Sequence, residues 1–142
     1  MSNIKLAIVG ATGAVGREFL RILAEQQFPA ENLFLVASSK SAGKAIKYFE
    51  KIIEIEDLQH FDFSKASVAF FSAGSSVAES HASQAIERGC TVIDNSSFFR
   101  NRDDLELIVP EVNGSRLEDL NLPAIIANPN CSTAQMVVAL KP

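Results

Sequence analysis

The sequence holds only two cysteines, Cys90 and Cys131, and two histidines, His60 and His81, in 142 residues. The cysteines stand far apart with no metal-ligand spacing, which argues against a zinc site and a disulfide scaffold. No apolar run approaches the roughly 20 residues of a membrane-spanning helix. Basic residues are the minority: 13 Lys and Arg against 17 Asp and Glu leave a formal net charge of −4. A mildly acidic chain argues against a nucleic-acid binder and against a basic membrane-surface module. Repeats, low-complexity tracts and linkers are missing too, so the length predicts one domain over 1–142. Met1-Ser2-Asn3 leads almost directly into an apolar run, without the features of a secretory leader. Together these absences predict a cytoplasmic protein with reduced thiols.

What is present is ordinary for a globular chain, 47% hydrophobic and 21% charged. Ile4 to Val9 reads as a buried strand ended by Gly10. From Gly13 onward Val15, Phe19, Ile22 and Leu23 recur at helical spacing, with charges opposite, up to Pro29. Leu33 to Ala37 is a second strand. The stretch from Lys44 to Asp62 suggests two short strands around Ile46, Tyr48, Ile53 and Ile55. Val68–Phe71, Thr91–Asp94, Leu105–Val109 and Ala124–Ala127 read as further strands. Val77–Arg88 and Ser132–Leu140 read as helices. Strands alternating with helices predict an α/β fold, a Rossmann-like and mainly parallel sheet flanked by helices.

Gly10-Ala11-Thr12-Gly13-Ala14-Val15-Gly16 falls where a strand meets a helix. Glycines there permit a sharp turn and close backbone approach to a pyrophosphate, which the helix N-terminus attracts. The spacing predicts a dinucleotide site. The end of the second strand, Val36-Ala37-Ser38-Ser39-Lys40-Ser41, lacks the carboxylate that usually holds an NAD ribose. No Asp or Glu follows until Glu50. Hydroxyls and Lys40 suit a 2′-phosphate, so NADP is expected over NAD. Lys44, Lys47 and Lys51 read as a solvated face.

Cys131 follows a strand and opens the final helix, on the edge where a parallel sheet binds ligands. A thiol at a helix N-terminus is biased toward thiolate, which makes it a candidate nucleophile. Pro129 and Asn130 shape the same turn. A cysteine beside a nicotinamide suggests aldehyde oxidation through a thioester. Cys90, behind Gly89, reads as core packing. Such chemistry wants a base, and neither His60 nor a surface His81 suits. Arg100 follows the Thr91–Asp94 strand at the same edge. It reads equally as an anion clamp or as a partner of Asp103 or Asp104.

Several segments coincide in order: the 10–16 turn, Ala37 to Gly43, Ser72-Ala73-Gly74, Asp94 to Arg100, Val109 to Asn113, and Asn128-Pro129-Asn130-Cys131-Ser132-Thr133. With these the chain closely resembles the N-terminal domain of bacterial aspartate-semialdehyde dehydrogenases, over essentially its whole length. The resemblance implies NADP-dependent interconversion of aspartate 4-semialdehyde plus phosphate with aspartyl 4-phosphate. That step lies on the route to lysine, threonine, methionine and isoleucine. It implies that Cys131 is the acyl-thioester nucleophile, and that Asn130 and Arg100 contact substrate and phosphate. It implies cofactor contacts from Gly10, Thr12, Gly13, Ala14, Val15, Gly16, Ser38, Lys40, Ser41, Ala73 and Gly74, and no metal. Lysine at 40 keeps the charge of the family's arginine but loses its planar fork.

Family members continue past Pro142 into a domain supplying the base and most of a homodimer interface. The apolar Met136, Val137, Val138 and Leu140 and the missing polar tail likewise read as a piece of something longer. The 142-residue chain alone is therefore expected to be inactive. Two alternatives remain: an N-acetyl-glutamyl-phosphate reductase, whose motif Asn130 and Ser132 disfavour, and a stand-alone NADP-binding module.

Overall fold

Alternate residues of a strand face opposite sides of a sheet, yet Leu6, Ala7, Ile8 and Val9 are all buried. Such a strand must be covered on both faces, which is the place of a central strand in a parallel α/β sheet. The computed structural model describes residues 4–141 and puts this strand, β1 (Leu6–Val9), near the middle of eight. Met1 to Asn3, read above as a leaderless start, and Pro142, read as an abrupt end, lie outside the described residues.

The chain continues through α1 (Ala14–Glu25), β2 (Leu33–Ala37), the hairpin β3 (Ala45–Tyr48) and β4 (Lys51–Asp57), β5 (Val68–Phe71), α2 (Ser75–Glu87) and β6 (Thr91–Asp94). It ends with β7 (Glu106–Leu107), a single turn α3 (Pro110–Asn113), β8 (Ile125–Ala127) and α4 (Cys131–Leu140). The sheet order is β3-β4-β2-β1-β5-β6-β8-β7, and only the β3–β4 pair is antiparallel. The expected α/β class and mainly parallel sheet are what the structure shows.

Three expectations shift. The fourth helix begins at Cys131 rather than Ser132, and α2 begins at Ser75 rather than Val77. The apolar run Leu105–Val109 gives only a two-residue strand, because Pro110 turns the chain into α3.

Leu6 and Ile8 pack with Leu35, Ile55 and Leu20 of α1 on one face. Ala7 and Val9 pack with Ala69, Phe71 and Val92 on the other, under α2. The buried surface of α2 is all alanine, Ala78, Ala82 and Ala85, so the helix lies close on the sheet. Strands leave β1 for β2 on one side and β5 on the other. The crevice above that reversal is where open α/β sheets take ligands.

Candidate active site

Gly10 ends β1 with φ +92°, a left-handed conformation natural to glycine. A Cβ there would sit 2.9 Å from the Ser72 carbonyl carbon, so the backbones after β1 and β5 nearly touch. A Cβ on Gly16 would collide with the Gly10 carbonyl oxygen and approach Ala11 Cα to 2.9 Å. The turn is held by Gly10 N–H and Ala11 N–H donating to Val36 O, and by Gly13 N–H donating to Gly10 O. Gly13 is the N-cap of α1 and brings no side-chain cap. Arg17 N–H makes the first helical bond, to Gly13 O. The N–H groups of Ala14, Val15 and Gly16 are left without intrahelical acceptors. Ala14 and Val15 are exposed, and no acid stands in the first turn. This is an electropositive backbone cradle that fits a pyrophosphate. Thr12 lends its carbonyl to Arg17 Nε at 3.1 Å.

Beyond β2, Ser38, Ser39 and Lys40 are exposed and Ser41 is half-buried. Ser41 N–H closes a tight turn on Ser38 O at 2.8 Å. Lys40 has no ion-pair partner among the described residues, whereas Lys47 and Lys51 pair with Glu50 and Glu31. The reading of the latter two as solvated surface agrees. The loop after β2 itself carries no acid. Strand pairing nevertheless brings one to it from elsewhere: Asp57, at the end of β4, is the register partner of Ala37.

After β5, Ala73 and Gly74 are exposed at the same edge. Gly74 has φ +93° and begins α2 without a side-chain cap, a second bare helix N-terminus. Ser75 Oγ lies 3.0 Å from Ser97 Oγ and ties this turn to the loop after β6.

That loop holds Arg100. Its Nε donates to Asn128 O and one Nη to Asn95 O, both at 2.9 Å. Arg102, not Arg100, pairs with Asp104. Two of five guanidinium donors are thus used to fix the plane. Asn128 Nδ2 donates to Asn95 Oδ1 at 2.6 Å, and Asn128 N–H to Asp94 O at 2.8 Å. The ends of β6 and β8 are thereby stitched together under the arginine. The fully buried Asp94 carboxylate accepts from Ser96 N–H and Ser96 Oγ, which shapes the loop's first bend. Sequence reading missed Asn95 and Asn128 as the arginine's support. The signal was there in polar residues placed directly after two strands.

Cys131 is the first residue of α4 and is exposed. Asn130 caps the helix, its Oδ1 accepting from Ser132 N–H at 2.9 Å and lying 3.9 Å from the Cys131 sulfur. Cys90 is fully buried, as expected, and burial pushes its thiol up to about 11. His60 is exposed beside Asp57, Nδ1 to Oδ2 3.5 Å. His81 is half-buried on α2 rather than on its surface, its Nδ1 3.3 Å from Val77 O. Among the described residues neither histidine is bonded to Cys131.

A crevice of about 460 Å³ runs from Ala14 and Val15 past Phe19 and Phe70 to Asn95 and Asn128. Ala14 and Val15 of the cradle and the first residues after β6 and β8 line it, with Glu18 and Ile22 of α1 between them. No group of side chains that could hold a metal exists among the described residues. No described helix is long and apolar enough to cross a membrane.

Comparison with known proteins gives matches at each level. The family described as semialdehyde dehydrogenase, NAD binding domain, matches residues 5–120. The aspartate-semialdehyde dehydrogenase of Legionella pneumophila is 50% identical over 140 residues, 99% of this chain and 40% of that protein. A solved structure described as aspartate semialdehyde dehydrogenase II complexed with ASA, from Vibrio cholerae, superposes with a TM-score of 0.92 at 46% identity. It covers 99% of this chain, which spans 46% of that one. The aspartate semialdehyde dehydrogenase of Candida albicans, solved with NADP, gives 0.78 at 28% identity, over 98% of this chain and 46% of that one. The chain spans about two-fifths of the length of the curated relatives it matches.

Proposed function

The chain belongs to the semialdehyde dehydrogenase family through its NAD-binding domain, and from that premise we propose that it is the cofactor- and thiol-bearing part of an NADP-dependent aspartate-semialdehyde dehydrogenase. The observation that carries this reading is convergence. The glycine cradle, Arg100 and Cys131 follow the C-terminal ends of β1, β6 and β8, which run parallel in one sheet, so all three stand on one sheet edge.

Gly10, Thr12, Gly13, Ala14, Val15 and Gly16 would hold the pyrophosphate, with Ala73 and Gly74 across the crevice. Ser38, Lys40 and Ser41 would hold the adenosine end. When bound, the dinucleotide supplies a hydride acceptor or donor. Cys131 is the nucleophile at the carbonyl carbon and carries the acyl group as a thioester. Arg100, its plane fixed by Asn95 and Asn128, presents its remaining donors to phosphate. Asn130 contributes its amide beside the sulfur. Among the described residues the thiol's hydrogen-bond partner is Asn130 and neither histidine is bonded to it, so a further segment would supply the base, and the 142-residue chain would not turn over. In the longer protein we expect a cytoplasmic homodimer serving lysine, threonine, methionine and isoleucine synthesis. The relatives named for aspartate semialdehyde, together with Asn130 and Ser132 at the cysteine, favour this substrate over an acetyl-glutamyl one.

The test uses the half-reaction that needs no dinucleotide. Aspartyl 4-phosphate should acylate Cys131: the carbon–sulfur bond forms and phosphate leaves on Arg100. Intact mass should show one hydroxylamine-labile adduct, lost in Cys131→Ser and slowed at least tenfold in Arg100→Ala. An adduct that persists in Cys131→Ser would overturn the assignment. Phosphate-dependent reduction of NADP⁺ by aspartate 4-semialdehyde, catalysed by the chain alone, would overturn the need for an outside base.

A further inference from the structure

Asp94 ends β6 and is fully buried. A carboxylate taken out of water needs partners for its oxygens, and an Asp can find them in the backbone two residues on. Here Oδ1 accepts from Ser96 N–H at 3.1 Å and Oδ2 from the Ser96 hydroxyl at 2.6 Å. The hydroxyl oxygen accepts in turn from Phe98 N–H at 3.1 Å. One buried side chain therefore holds the first half of the loop that leads to Arg100.

The Ser96 N–H belongs to a peptide unit whose other half is the Asn95 carbonyl. That carbonyl accepts from Arg100 Nη2 at 2.9 Å. The unit is planar and trans, so its N–H and C=O point opposite ways. Holding the N–H on Asp94 aims the C=O at the arginine. The other acceptor, Asn128 O, lies 2.9 Å from Arg100 Nε and hangs from the same residue, because Asn128 N–H donates to Asp94 O at 2.8 Å. The two carbonyls take the Nε–Nη2 edge of the guanidinium. Among the described residues its end-on Nη1–Nη2 edge stays open, and the ion pair in this loop belongs to Arg102. Asp94 thus reaches Arg100 through a peptide and leaves the cation's charge available to an anion.

We propose that Asp94 is a positioning residue for the phosphate site: by gripping the 95–96 peptide it sets the direction in which Arg100 presents its open edge. The proposal rests on the reading of Arg100 as the phosphate contact. Without the carboxylate the 95–96 peptide can rotate, and the arginine loses a fixed acceptor. The damage stays local, because Asn95 keeps its N–H on Phe71 O and its side chain on Asn128. A misplacement of about 1 Å in a group that binds the reacting part of a substrate costs on the order of a hundredfold.

Acylation of Cys131 by aspartyl 4-phosphate, followed by intact mass, tests this. Asp94→Ala should slow it by about ten- to a hundredfold. Asp94→Asn keeps an acceptor for Ser96 N–H and should recover the rate to within about threefold. In an Arg100→Ala background, Asp94→Ala should cost no more than about a further twofold, since the two act as one unit. Alkylation of the exposed Cys131 by iodoacetamide, which carries no phosphate, should proceed in Asp94→Ala as in the unmodified protein. Should Asp94→Ala fail to fold, Asp94→Val suits a strand end, has no acceptor and carries the same expectations. An unchanged acylation rate, an equal penalty with and without Arg100, a matching fall in alkylation, or an Asp94→Asn as slow as Asp94→Ala would each overturn the role of Asp94 and leave the reading of Arg100 standing. Absence of acylation in the unmodified protein would overturn both.

Discussion

Cys90 is fully buried at the start of β6, and its thiol is pushed up to about 11 by loss of solvent. In the unfolded chain a thiol ionises near 8.5. The folded state therefore holds this proton more tightly. Its contribution to stability is complete below about pH 8.5 and is lost as pH rises toward 11, by up to roughly 2–3 kcal/mol. Urea midpoints of the native protein should fall across that window. Cys90→Ala should start lower, from the lost packing, but fall less steeply. Equal slopes would show that the thiol does not carry the effect. The exposed Cys131 needs no such account. That contrast was legible in the sequence: Cys90 sits behind a helix-ending Gly89, Cys131 behind Asn128-Pro129-Asn130. His81 was less so, because its half-burial depends on how near α2 lies to the sheet, which three alanines set.

At the scale of elements, the first strand, turn and helix were plain in the sequence, because each residue type there has one use. Gly10 takes a φ of +92° and Gly16 leaves no room for a Cβ beside the Gly10 carbonyl. Gly16→Ala must push α1 off β1 or open the turn. We expect a loss of about 1–3 kcal/mol, the usual cost of overpacking, by urea unfolding. Dinucleotide affinity should fall by at least tenfold, because the cradle N–H groups move with the helix. A variant with full stability and affinity would show that α1 can shift freely. Other elements were hidden. The run Leu105–Val109 is apolar enough for a full strand, yet Pro110 lacks an N–H and starts a turn of helix, so only Glu106 and Leu107 pair with β8. The carboxylate beside β2 was invisible for a different reason. Asp57 lies twenty residues past Ala37, and only the β2–β4 register brings them together. The same holds for Asn95 and Asn128, whose bond spans two strand ends.

At the scale of the molecule, the two faces of the sheet are unequally covered. The side carrying Ala7, Val9, Ala69 and Val92 lies under α2. On the other side α1 covers β1 and β2, but the strip continued by Phe70, Ile93 and Ile126 is only half-buried. Parallel sheets normally carry helices on both faces. The wall of α1 along this strip is apolar as well, with Val15 at 47% and Ile22 at 41% exposure. Met136, Val138 and Leu140 of α4 add further exposed apolar surface. Contiguous apolar area of this kind drives association in water. Sedimentation velocity on the 142-residue chain should show association that rises with protein concentration. Ile22→Glu places a charge in the middle of the strip while leaving the buried Gly16 and Leu20 side of α1 untouched. It should shift the distribution toward monomer and reduce binding of an apolar dye. A chain that stays monomeric at high concentration without the substitution would mean that the half-buried strip is already sufficiently covered by α1 alone.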